Sequence, residues 1–330
     1  MERNKLGFVA LFVAVAFLTF ATTTLASPIV IKFPHIVSEK TPKGQMINKF
    51  KQLIDERLSS KVVVEIAPNS QLFKGTKVLE AVILGDIQMA VPSLSKVAQD
   101  TKPLQIFELP FLFKDMAAVD KFQQSPSGQK LLMATKQKGL IGLGYLHNGF
   151  KQLSASEVLR VPTDAIGKKF SILPSDILAA QFKAVDAIPL IKPLSEVFTL
   201  LQAKAIDGQE NSWSTIYSQK FYEVQPYITE SNHGALGYFI ITSAEFWMGL
   251  SDEIRSEVKK SLDEAIIFGN KVAADKTISD RQKIIESKRT TIIELTPDER
   301  QQWVDTMKPV WKQFEEEIGK EYIDAAVSSN

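Results

Sequence analysis

Strand-like and helix-like segments alternate from Ile29 onward, and this alternation constrains the chain more than any other feature. Ile29 to Phe33 is short, rich in β-branched residues and bounded by Pro28 and Pro34, which reads as a strand. Thr41-Pro42 supplies an N-cap and a proline at the first helical position. Met46, Ile47, Phe50, Leu53, Ile54 and Leu58 then recur at helical spacing. Val62 to Ile66 is a second strand, and Pro68 to Leu72 turns the chain. Val78, Leu79, Val82 and Ile83 mark a second helix that Gly85 can end, and Ile87 to Val91 is a third strand. Such a βαβαβ unit is expected to pack as an open parallel sheet.

The pattern returns after Glu108-Leu109-Pro110-Phe111-Leu112-Phe113. Leu140 to Leu146 and Lys168 to Ile172 read as strands, and Ser195 to Ala203 as a helix with Val197, Leu200 and Leu201 inward. A second α/β lobe is therefore expected. The C-terminal third is helix-rich: Ser251 caps a long amphipathic stretch with Ile254, Val258, Leu262 and Ile266 on one face. Thr296-Pro297-Asp298-Glu299 is a capping box that opens a final helix carrying Trp303, Met307, Val310, Trp311 and Phe314.

Composition narrows the function. The 330 residues include 39 Lys+Arg against 38 Asp+Glu, so there is no large basic surface to gather nucleic-acid phosphates, and no nucleic-acid partner is expected. The absence of cysteine excludes disulfides, thiolate metal sites and a cysteine nucleophile. At the N-terminus, Arg3 and Lys5 precede the apolar run Leu6 to Ala21, and Thr24-Leu25-Ala26 offers small residues before Ser27. This has the form of a cleavable signal peptide over residues 1–26, since a membrane-spanning helix needs about 20 apolar residues. A periplasmic product follows for a Gram-negative source.

Enzyme motifs fail. Gly142-Leu143-Gly144 lacks the third glycine of a dinucleotide fingerprint, where His147 stands instead. There is no phosphate-binding loop, GxSxG elbow or HExxH pair. His35, His147 and His233 are scattered singly, and Asp207 with Glu210 is too common a spacing to indicate a glycosidase pair. A secreted α/β hydrolase using Asp207, Glu210 or His233 remains the rival from another class.

The informative segment runs from Leu143 to His233. It holds His147-Asn148-Gly149-Phe150-Lys151-Gln152, Gly167-Lys168-Lys169-Phe170-Ser171, Ser195-Glu196-Val197-Phe198 and Asp207-Gly208-Gln209-Glu210-Asn211. With Leu84-Gly85-Asp86-Ile87-Gln88-Met89 and Leu109-Pro110-Phe111 upstream, these runs resemble the solute-binding receptors of tripartite ATP-independent periplasmic (TRAP) transporters, in the DctP family. The resemblance covers nearly the whole chain after residue 26.

The resemblance implies an α/β, two-lobed fold with a ligand cleft between the lobes and long connecting helices. Residues 27–148 with about 237–276 would form one lobe, and 149–236 with about 277–330 the other. The function implied is non-catalytic: a small organic acid or related polar metabolite binds without a cofactor or metal and passes to membrane permease subunits. A monomer is expected, and a sensor system in place of the permease is the alternative partner.

Residue by residue, the resemblance places Asn211, which ends DGQEN, around the ligand carboxylate. Lys151 stands where the family usually has one arginine and Ser171 where it has another, so one charge is retained without its planar fork and one is lost. An unpaired buried Lys151 beside a neutral ligand would cost several kcal/mol unless an acid lay close, which favours an acidic ligand. His35, after the first strand, and Ser93 and Lys96, after the third, are further cleft candidates. Phe150, Phe170, Leu194 and Trp213 are candidate pocket walls.

Overall fold

The computed structural model describes residues 27–67 and 77–330. The expected signal peptide and the turn from Pro68 to Leu72 lie outside the described residues.

In the first lobe, β1 (Ile29–Lys32) and β2 (Val62–Glu65) pair in parallel, joined by α1 (Pro42–Leu58). Thr41 caps α1 by accepting a hydrogen bond from the Gly44 amide, with Pro42 at the first turn where its missing N–H is harmless. Three short elements follow, α2 (Val78–Ile83), β3 (Met89–Ala90) and α3 (Leu94–Ala98). A 3-10 helix over Lys102–Glu108 then leads to α4 (Met116–Gln124) and α5 (Pro126–Leu132).

The long strand β4 (Leu140–Ala155) carries the chain across to the second lobe, where β5 (Lys169–Ile172), α6 (Asp176–Ala184), β6 (Ile188–Ile191) and α7 (Leu194–Gln202) form a parallel unit. β7 (Gly208–Ser212) runs straight into α8 (Trp213–Ser218), and β8 (Tyr227–Glu230) follows. The chain returns through β9 (Ala235–Ser243) and α9 (Ala244–Gly249). The 36-residue α10 (Asp252–Ser287) is about 54 Å long at the usual helical rise. β10 (Thr291–Glu294), α11 (Pro297–Met307), α12 (Val310–Ile318) and α13 (Lys320–Val327) complete the fold.

Three details depart from the sequence expectation. First, β3 does not extend the β1–β2 pair. It hydrogen-bonds antiparallel to β9, and only Gln88 reaches back to β1, its amide donating to the Lys32 carbonyl. With Pro92 following Val91, β3 stops after two residues, and a second ladder does not form. Second, β4 continues nine residues past Leu146, pairing with β9 in the first lobe and with β7 and β8 in the second.

Third, the final helix breaks at Pro309, which cannot donate the hydrogen bond that would continue it. The break sends the tail back across the hinge. Trp303 and Met307 of α11 pack on Phe170 and Phe182 of the second lobe, whereas Val310, Ile318, Tyr322, Ile323 and Ala326 join Phe107, Phe113 and Phe122 of the first. The division expected from sequence put about 277–330 with the second lobe, whereas the end of this tail packs in the first lobe's cluster. α10 also spans both lobes, burying Val258, Leu262 and Ala265 in the first and Ile284 in the second.

Candidate functional site

A cavity of about 120 Å³ lies between the lobes, at the carboxyl ends of parallel strands, where α/β sheets characteristically bind ligands. The loop after β1 brings Pro34, His35, Ile36 and Val37, and the first turn of α1 brings Lys43. The β3–α3 corner brings Val91, Ser93 and Lys96. Facing them from the second lobe are Leu173 after β5, Leu194 at the start of α7, Asn211 on β7 and Thr215 on α8. Tyr238 and Leu236 of β9 form the wall at the crossing.

The lining is electrostatically one-sided. Lys43 is 3 % exposed; its Nζ donates to the Val91 carbonyl at 2.8 Å and sits 3.6 Å from the centre of the Tyr238 ring. Burial lowers its pKa to about 7. Half-burial pulls Lys96 down as well. No carboxylate among the described residues comes within ion-pair distance of either lysine, and the undescribed stretch 68–76 contains no acidic residue. His35 is buried, and among the described residues neither ring nitrogen has a hydrogen-bond partner. Desolvation and then the nearby Lys43 charge bring it down to about 4, so it is neutral at pH 7.

The neutral donors are positioned from beneath. The Asn148 side-chain amide nitrogen lies 2.9 Å from Ser212 Oγ, 3.0 Å from Thr215 Oγ1 and 3.2 Å from the Tyr238 hydroxyl, its two hydrogens shared among the three. The Tyr238 hydroxyl thus accepts from the protein side and keeps its hydrogen for another partner, and burial pushes its pKa up so that it stays protonated. Asn211 donates one N–H to Gln209 Oε1 at 2.7 Å, and its carbonyl oxygen and second N–H have no partner among the described residues.

The structure gathers His35, Ser93, Lys96, Leu194 and Asn211 around one cavity, and places the other candidates elsewhere. Lys151 is 1 % exposed and does not line the cavity; its Nζ lies 3.2 Å from Glu210 and 3.9 Å from Glu108. Burial pushes Glu108 above the usual carboxyl range. In Glu210 the Lys151 charge and the His233 hydrogen bond outweigh burial and hold the group below that range. His233 completes the cluster, bonded to Glu210 Oε2 and Ser231 Oγ at 2.8 Å each and kept neutral by burial.

The exception that the sequence argument allowed, an acid beside Lys151, is therefore present, and the buried ammonium is compensated within the protein. Ser171 is buried on β5, paired in register with Gln209, each two residues before the lining residues Leu173 and Asn211. Phe170 and Trp213 are fully buried core residues. Phe150 packs towards the back of the hinge beside Lys114, Asn232 and Arg300.

Sequence reading missed Lys43, Thr215, Tyr238 and Asn148. One signal for Lys43 was available. A basic side chain in the first turn opposes the helix dipole, and α1 has no acid there to compensate. Among the described residues there is no cluster of three metal-ligating side chains and no helix long and apolar enough to cross a membrane.

The family of bacterial extracellular solute-binding proteins, family 7 (DctP), matches residues 33–317. The C4-dicarboxylate-binding periplasmic protein DctP of Shewanella loihica is 59% identical over 315 residues, covering 96% of this chain and 94% of that protein. A TRAP periplasmic solute-binding protein of Shewanella oneidensis, solved with bound succinate, superposes with a TM-score of 0.90 at 56% identity, covering 92% of this chain and 99% of that one. Its Pseudomonas aeruginosa counterpart with bound L-malate gives a TM-score of 0.85 at 42% identity, with 87% and 100% covered.

Proposed function

This chain belongs to the bacterial extracellular solute-binding proteins of family 7, and we propose that its cleft receives a C4-dicarboxylate such as succinate or L-malate. It is a TRAP-type solute receptor for organic acids and not an enzyme. Under the proposal the receptor works in the periplasm and hands its ligand to membrane permease subunits of the transporter.

The observation that supports a dicarboxylate is the pair of lysines in the cavity, Lys43 and Lys96, with no carboxylate partner among the described residues. A buried ammonium lacking a counter-charge is costly, and an anionic ligand removes that cost while a neutral one leaves it. Size agrees. At roughly 10–15 Å³ per water-sized site, a cavity of about 120 Å³ suits about eight to twelve non-hydrogen atoms, the range that includes succinate and malate.

The test is calorimetric titration of the unmodified protein with succinate, L-malate and a neutral C4 diol. Saturable binding of the acids alone is expected, and Asn211→Ala should weaken it by about 1–3 kcal/mol, roughly 5- to 150-fold, in a folded variant. Equal binding of the diol, or no heat from any C4 acid, overturns the proposal.

A further inference from the structure

We propose that charge recognition in this receptor resides in the first lobe alone: Lys43 and Lys96 take the ligand's negative charge, and the second lobe closes over it with neutral donors. The inference rests on the reading of the cleft as a dicarboxylate site and assigns work within it.

The two faces of the cavity differ in kind. His35, Lys43, Ser93 and Lys96 come from the first lobe, while the second lobe contributes Leu173, Leu194, Asn211 and Thr215, none of which carries charge. The second lobe's cations near the crossing are committed to protein carboxylates. Lys151 is held by Glu210, and Arg281 pairs with Glu230 and Glu294 at 2.7 Å each. Ser171, on the strand that leads to Leu173, adds no charge.

Lys43 is fixed in place by the Val91 carbonyl and the Tyr238 ring, so its ammonium is already oriented before a ligand arrives. The His35 ring nitrogens, without hydrogen-bond partners among the described residues, lie on this same face. Long-range attraction acts on association, whereas short directional hydrogen bonds act on escape. The first lobe therefore captures the dianion from solution. Asn211 and Thr215 then hold the closed state, because they meet the ligand only when the second lobe comes down.

The assignment separates rates as well as affinities. Stopped-flow and calorimetric measurements with succinate, at several ionic strengths, compare the unmodified protein with Lys96→Gln, Lys43→Gln and Asn211→Ala. Either lysine variant should lose about tenfold or more in affinity: half-exposed Lys96→Gln largely in the association rate with a flatter salt dependence, and buried Lys43→Gln with faster dissociation as well. Asn211→Ala should keep the association rate within about twofold and dissociate faster.

Lys96 is half-exposed, so Lys96→Gln keeps the test decisive if the buried Lys43→Gln variant fails to fold. Should the unmodified protein bind no C4 acid, the ligand class fails and this assignment falls with it. If succinate binds and Lys96→Gln leaves affinity within twofold, or changes only the dissociation rate at an unaltered salt slope, the ligand class stands and the assignment alone is overturned.

Discussion

Lys151 is tolerated in the hinge because Glu210 is buried with it, and the pair is tied to both lobes through Glu108 on one side and His233 on the other. Removing the ammonium strands a carboxylate in a medium that solvates it poorly. Lys151→Met should therefore lower the unfolding free energy by about 3–5 kcal/mol, and adding Glu210→Gln should recover part of it. Urea denaturation measures both, and a loss under about 1 kcal/mol for the single variant would show that the pair is not the compensation described.

Ligand binding is expected to draw a proton onto Lys43, whose pKa burial lowers to about 7. A carboxylate arriving beside the ammonium favours the charged form, so binding raises that pKa. Below about pH 6 the group is already charged and affinity is flat with respect to it. Above about pH 7 the empty receptor must take up a proton to bind, so affinity falls with rising pH, by at most about tenfold per unit.

The groups around Lys43 do not reverse the sign. His35 titrates near 4 and is neutral throughout this window, the Tyr238 phenol stays protonated, and Lys96 is shifted in the same direction as Lys43. Titration calorimetry at pH 6 to 9 in buffers of differing ionisation enthalpy reads the uptake directly. Constant affinity with buffer-independent heats contradicts it.

Part of this site was legible in sequence: His35, Ser93 and Lys96 follow strand ends, where α/β clefts bind ligands, and Asn211 came from the family resemblance of the DGQEN run. Lys43 was overlooked, since a lysine two residues after a cap ordinarily reads as a solvated helix residue and its unfavourable place in the helix dipole is a weak signal. Lys151 was misplaced for a different physical reason. Its side chain lies beyond an irregularity in β4 that alternation along the strand does not anticipate.

At the scale of elements, that irregularity is the feature on which the crossing depends. The β4–β9 register shifts between His147 and Phe150, where Gly149 adopts φ +86°, a backbone conformation unfavourable for residues with a Cβ. A Cβ at Gly149 would also stand 2.8 Å from Thr277 Oγ1 on α10. Gly149→Ala is expected to destabilise by about 1–3 kcal/mol through both effects. Adding Thr277→Ala should relieve the contact but leave the backbone strain, so recovery is partial. Full recovery in thermal melts, or no loss to begin with, would remove the strain argument. The periodic elements, α1 and α10 among them, were readable from caps and apolar spacing. The extension of β4 was not, because the polar run Asn148 to Gln152 is buried by hydrogen bonds and ion pairs instead of by apolar contacts.

For the whole molecule, the shared elements decide how the lobes unfold. Two lobes with separate cores would ordinarily melt as separate units. Here β4 supplies a strand to the sheets of both, α10 is buried in both cores, and the tail after Pro309 returns across the hinge to bury Tyr322 and Ile323 in the first lobe. Unfolding either lobe therefore exposes apolar surface in the other, and calorimetry should give one cooperative transition. Succinate at about 100 times its dissociation constant adds roughly 2.7 kcal/mol. With an unfolding entropy of about 2.1 cal/mol/K per residue over some 300 residues, that shift is about 4 °C and moves the transition as a unit. Two resolved transitions, with only one displaced by succinate, would mean that the crossing elements do not couple the lobes and that the ligand's contacts lie within a single one.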